Sequence, residues 1–182
     1  MHNRFAFIAG EIGSWNVVGI AAVRGDGVQS AQRIAVLPAG EAAASMPAVW
    51  RLDGVISNVR YATGGELSNL RSVQAPLGRT QADRAALIPI RKTPAWWQLA
   101  QDERRALFEE ASHHTAIGLD YLPAIARQLY HARDLGEPFD FLTWFEYAAE
   151  HADAFEALVA RLRATPEWTF VEREVDIRLA RV

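Results

Sequence analysis

An α+β fold is what this sequence predicts, on two observations. The second half reads strand, helix, strand, strand, helix, strand, and short stretches of the first half echo that order. Together they describe two fused ferredoxin-like halves, the first one trimmed: residues 1–80 and then residues 81–182, packed as one compact unit. In chain order, residues 4–9 and 17–23 are strand-like, and Gly25-Asp26-Gly27 is a strong turn signal. Residues 33–37 form a third apolar run, and residues 38–47, rich in alanine and glycine, read as a loop. A strand over 54–63 precedes a weakly helical 66–73 that ends near Pro76.

The second half is more sharply marked. Residues 85–91 predict a strand, and Pro89, which has no N–H to give a ladder, argues for an edge or a bulge. Thr93-Pro94 has the form of an N-cap followed by proline at the first helical position. A helical pattern runs from there towards Tyr121, and Pro123 ends it, because a residue before proline avoids the α region. Residues 125–132 and 139–147 are two strands joined through Asp134 to Pro138. A second helix carries Ala152, Phe155, Val159 and Leu162 on one stripe, and residues 168–181 close as a last strand. The echo pairs Val59-Arg60-Tyr61-Ala62, a helix and Ile88-Pro89-Ile90-Arg91 with Phe145-Glu146-Tyr147-Ala148, a helix and Val175-Asp176-Ile177-Arg178.

Composition narrows the chemistry. A net charge of −3 gives no electrostatic reason to expect nucleic acid or an anionic membrane as partner. With no cysteine, thiolate nucleophiles, iron–sulfur clusters and sulfur-held zinc are excluded, so a metal needs histidine, carboxylate or tyrosine. The apolar run after Met1 is short and Glu11 interrupts it, unlike a secretory signal, and no stretch reaches transmembrane length. A soluble, cytoplasmic protein is the expectation. The sequence has no glycine-rich phosphate loop, no G-x-S-x-G elbow and no H-E-x-x-H.

Two residues stand out. If 100–121 is one helix, the stripe through His114 collects Leu107, Ala111, Gly118 and Tyr121, whereas that through His113 collects Glu103, Glu110 and Asp120. His114 then faces the core, with Gly118 one turn away leaving room for a large flat group. A buried histidine bonded to a carbonyl explains the same pattern. Arg127 shares a strand face with Ile125 and Leu129, a costly place for a cation unless it is paired or faces an anion. A salt bridge, an exposed strand face and an anion site inside a cavity all fit. Phe139, Phe141, Thr143 and Phe145 alternate as a core stripe, and Trp96 and Trp97 open the helix. Glu109-Glu110 and Glu172 with Glu174 read as ordinary surface charges.

Three long segments, ALIPIRKTPAWWQL (86–99), DERRALFEEASHHTAIGLDYLPAIARQLYHARDLGEPFDFLTWFEYA (102–148) and EWTFVEREVDIRL (167–179), resemble the chlorite dismutase family, and SNVRYAT (57–63) extends the likeness. The short first half resembles the dimeric branch. The resemblance implies an antiparallel β-barrel with helices outside, one haem b per subunit, a homodimer, and conversion of chlorite to chloride and dioxygen through a ferryl and hypochlorite pair. Chlorite or a similar small anionic oxidant is the implied partner. By the same likeness His114 is the iron ligand and Glu167 the carboxylate on its other ring nitrogen; the residue-level alternative for Glu167 is a surface cap after Thr165-Pro166. Arg127 resembles the distal arginine and Gln74 the glutamine that holds it. Leu122 and Phe139 are implied walls of the distal pocket, Lys92, Asn58 and Tyr61 propionate partners, and Trp96 and Trp97 neighbours of the macrocycle. Three rivals stay open: a coproheme decarboxylase of the same superfamily, a haem carrier without turnover, and a cofactor-free barrel of the same broad fold.

Overall fold

The computed structural model describes residues 3–56 and 63–182. Eight strands form a closed antiparallel barrel: β1 (Arg4–Gly10), β2 (Trp15–Arg24), β3 (Arg33–Pro38), β4 (Trp50–Val55), β5 (Arg84–Lys92), β6 (Ala126–His131), β7 (Phe141–Tyr147) and β8 (Val171–Arg181). Around the barrel the order is β1-β3-β2-β8-β5-β7-β6-β4. Cut at the β2–β8 and β4–β6 contacts, it becomes two sheets, β4-β1-β3-β2 and β8-β5-β7-β6. Both have the ferredoxin-like permutation, fourth strand, first, third, second. Among the described residues the joins are unequal: β2 and β8 pair along most of their length, whereas β4 meets β6 at Val55 and His131.

Trimming of the first half is plain in its connections. Four residues, 11–14, join β1 to β2 where a helix would cross, and the link from β3 to β4 keeps only α1 (Glu41–Ala44), a single turn within the expected loop. Under α1 lies a small cluster of Ala6, Ile8, Ala35 and Ala43, and much of the outer face of β2 is bare, with Val18 and Val23 exposed. The second half keeps its helices: α2 (Gly64–Val73) leads into it, α3 (Pro94–Gln98), α4 (Gln101–Arg105) and α5 (His114–Leu119) join β5 to β6, and α6 (Ala152–Arg163) joins β7 to β8. Strand alternation then builds two main cores. Phe7, Trp15, Leu52, Tyr130, Leu142, Trp144, Ile177 and Leu179 fill the barrel, with edge-on aromatic contacts such as Phe7–Tyr130 at 5.0 Å. Ile88, Ile90, Phe145, Tyr147, Phe155, Leu158 and Trp168 pack between the second sheet and its helices.

Several expectations need correction. Pro89 lies in a central strand, since β5 pairs with both β7 and β8. Its missing N–H is tolerated because the β8 ladder lapses over Ile88 and Pro89, between Leu87–Ile177 and Ile90–Glu174. The internal echo has the wrong frame: β5 is the first strand of the second half, so Ile88–Arg91 and Val175–Arg178 belong to neighbouring strands of one sheet. The strand expected at 54–63 begins earlier, at Trp50, and residues 57–62 lie outside the described residues.

The largest difference concerns the long helix. After Thr93 accepts the Trp96 N–H at 3.4 Å, α3 lasts five residues. α4 runs into a π-helical turn, Ala106–Ala111, and the chain then breaks at His113, whose φ of 51° is left-handed. His114 opens a new helix. The side-chain stripe counted through residues 100–121 therefore does not exist as a straight line, although His113 is exposed and His114 turns inward.

Candidate functional site

A cavity of about 370 Å³ lies between the second sheet and its helices. Alternation on β7 sends Phe141, Thr143 and Phe145 into it, β5 sends Ile88 and Ile90, and β6 sends Arg127 and Leu129. Val159 and Leu162 of α6, with Phe108, close the opposite walls, and Leu129, 41% exposed, marks where the cavity meets solvent. The volume is that of a small-molecule site, and the walls are mostly apolar with a few convergent polar groups.

His114 is the most tightly oriented of those groups. Its ring lies nearly parallel to Phe108, centroids 4.3 Å apart, and to Trp168 at 6.5 Å. Its Nδ1 is 2.7 Å from Glu167 Oε2. Glu167 sits in the short 3-10 turn Pro166–Phe170, where its own N–H donates to Ser112 Oγ at 2.9 Å, tying that turn to the chain just before His114. The other carboxylate oxygen accepts from Lys92 Nζ at 2.7 Å, and the ammonium lies 4.4 Å over the Trp96 ring. Side-chain exposure is 2% for Lys92, 4% for Glu167 and 15% for His114.

Burial opposes the charge on Glu167, but His114 and then Lys92 outweigh it and bring the carboxyl down to about 2. An ionised carboxylate only accepts, so the shared proton is on Nδ1 and Nε2 is the ring nitrogen left for another partner. Burial presses the Lys92 ammonium below its ordinary value, and Glu167 opposes that. The carboxyl is depressed relative to its ordinary 4.5, so its stabilising contribution is complete above that value and disappears as pH falls from about 4.5 towards 2. Glu167→Gln removes this acid dependence and leaves Lys92 buried without its ion-pair partner, with only the Asp140 charge still acting on it, a loss of about 3 kcal/mol near neutral pH. Urea unfolding of the cofactor-free protein at a series of acidic pH values checks both. A variant as stable as the parent, with the parent's acid slope, contradicts the assignment.

Arg127 lines the same cavity from β6. Burial pushes its guanidinium below the ordinary arginine value, and the Glu109 carboxylate opposes this. The space beside Gly118, expected to admit a large flat group, is taken by this guanidinium: a β-carbon on Gly118 would lie 3.4 Å from Arg127 Cζ. Gln74, the residue that ends α2, donates from Nε2 to the Arg127 carbonyl oxygen at 2.8 Å, so it holds the arginine by its backbone.

The other expected site residues divide. Trp96 lines the cavity, and Lys92 does too, but the Lys92 ammonium is spent on Glu167 and not turned outward as a propionate partner would be. Trp97 lies outside, stacked on Phe141 at 5.9 Å and donating from Nε1 to Asp140 at 3.2 Å. Phe139 precedes the first residue of β7, so the strand's alternation does not reach it, and it joins the core inside the barrel. Leu122, half-buried in the turn before β6, is also absent from the walls. Asn58 and Tyr61 lie outside the described residues. Sequence reading missed Glu174, taken for a surface charge: it is 1% exposed and accepts from Trp168 Nε1 at 2.8 Å while Arg163 binds its other oxygen at 2.7 Å. Strand parity gave no signal of this, because it groups Glu174 with the half-buried Glu172 two residues earlier.

A family model described as chlorite dismutase matches residues 29–182. The crystal structure of dimeric chlorite dismutases from Nitrobacter winogradskyi is 58% identical, with a TM-score of 0.91 over 97% of this chain and 99% of that one. An arginine-to-lysine mutant of the chlorite dismutase from Candidatus Nitrospira defluvii is 29% identical, with a TM-score of 0.60 over 74% of this chain and 56% of that one. A curated relative, the chlorite dismutase of Ideonella dechloratans, is 35% identical over 83 residues, 46% of this chain. The match spans only 27% of that relative's length.

Proposed function

Because this chain belongs to the chlorite dismutase family, we propose that it is a haem b-dependent enzyme that converts chlorite to chloride and dioxygen. One observation carries the reading: an imidazole with one nitrogen bonded to a buried carboxylate and the other free for a ligand opens on the same apolar cavity as a buried guanidinium.

The residues present fit haem b. The apolar side chains of Ile88, Ile90, Phe141, Phe145, Val159 and Leu162 would wall a porphyrin, and His114 would hold its iron. When bound, haem would supply an iron centre for oxygen-atom transfer from chlorite. The protein's share is orientation and charge. Phe108 and Trp168 hold the imidazole plane, and the Glu167 carboxylate accepting from Nδ1–H makes Nε2 a stronger donor. Lys92 keeps that carboxylate ionised in a dry place, so the proton stays on the imidazole. Arg127 offers fixed positive charge and directed N–H donors to the anion, worth more in a cavity that excludes water. Gln74 fixes the arginine's backbone, leaving its guanidinium free for the anion.

A homodimer is part of this proposal, supported by the dimeric structure that is 58% identical. The test is direct: load the protein with haemin, add chlorite and follow dioxygen with an oxygen electrode. The expected result is prompt release, one dioxygen and one chloride for each chlorite lost. A red protein that releases no gas favours a haem carrier, one that instead converts coproheme to haem b with peroxide favours the decarboxylase, and a colourless protein dismisses all three.

A further inference from the structure

Glu109 belongs to the π-helical turn before His114 and looks, in sequence, like a plain surface charge. In the structure it is half-buried and reaches across the break at His113. Its Oε2 accepts from the Thr115 N–H at 2.7 Å and its Oε1 from the Ala116 N–H at 3.3 Å. These are donors that a helix start leaves without partners, ordinarily covered by the N-cap side chain. Here the N-cap residue is His113, with a left-handed backbone and no capping bond from its side chain. Glu109 therefore does from outside the helix what the N-cap does not.

What α5 carries makes this consequential. Its first residue is His114, and one turn on comes Gly118, against which the Arg127 guanidinium rests. The Glu109 charge is also felt by that guanidinium, favouring its ionised form against burial. We propose that Glu109 is a positioning residue for the cavity: it seats the short helix that presents His114 and, against the Arg127 guanidinium, Gly118. That His114 is thereby placed toward an iron rests on the haem reading above.

Two variants test this. Glu109→Gln keeps an acceptor for the Thr115 N–H; Glu109→Ala removes it. Melting of the haemin-free proteins reads the seating, and the Soret band of the haemin-loaded proteins reads the placing of His114. Glu109→Ala should melt about 3 °C lower than the parent, the size of a lost helix cap in a chain of this length, with Glu109→Gln recovering most of the difference. The haemin-loaded alanine variant should also show a Soret band displaced from the parent's, restored in Glu109→Gln. An alanine variant with the parent's melting temperature overturns the seating, and one that melts lower but keeps the parent's Soret band overturns the positioning of His114. A parent that takes up no haemin ends the haem reading, while the melting comparison still decides the cap.

Discussion

His114→Ala should lose haem. The imidazole is the oriented donor on the cavity wall, with Nδ1 committed to Glu167 at 2.7 Å, and alanine leaves that carboxylate facing an empty space beside Lys92. Haemin affinity should fall by more than about 100-fold, beyond the 10–100-fold typical when only a ligand's hydrogen-bond partner is lost. Oxygen release from chlorite should drop to background. Haemin titration, with the Soret and ligand-field spectra of whatever complex forms, provides the check. Imidazole added in solution should restore part of the parent spectrum, because the cavity's apolar walls are untouched. A variant whose spectra and haemin affinity match the parent's means that another residue holds the iron.

Arg127→Ala should do the opposite: keep haem and lose turnover. The groups that orient the His114 ring, Glu167, Phe108 and Trp168, do not include the guanidinium, so the Soret spectrum should stay close to the parent's. Chlorite turnover should fall by about 100-fold or more, the scale seen when a fixed donor aimed at developing negative charge is removed. The variant should also inactivate after fewer turnovers, because the role proposed for the guanidinium includes holding anionic chlorine species in the cavity. Initial rates and total oxygen yield, measured with the oxygen electrode, separate the two effects. Arg127→Lys should recover charge but not the forked donors, so it should fall between parent and alanine. Parent-like rate and yield in Arg127→Ala contradict the role.

Both experiments concern residues singled out by local pattern, but the pattern reached His114 by a path the structure does not follow. An inward His114 and an outward His113 come from a chain break, not from opposite faces of one straight helix. The π-helical turn and the left-handed His113 reverse part of the phase that a 3.6-residue count assumes. Arg127 was legible because strand parity is strict: residues two apart face one way, so a cation between Ile125 and Leu129 had to be accommodated. Parity stops short of Phe139, since the strand begins at Phe141, and the wall position that the resemblance implied for Phe139 is instead a place in the core of the barrel.

Most strands, the helix at Ala152–Arg163, the cap at Thr93 and the absence of any thiol chemistry were determined by the sequence alone, because periodicity, capping and composition act over a few neighbouring residues. Closure of the barrel, the central place of Pro89 and the partnership of Lys92, Glu167 and His114 were decided only by the tertiary structure. Glu167 is 53 residues from His114 and 75 from Lys92. No local pattern says that these three meet; only a sheet that pairs β5 with β8, and the helices laid across it, takes them out of water together and makes each charge depend on the next.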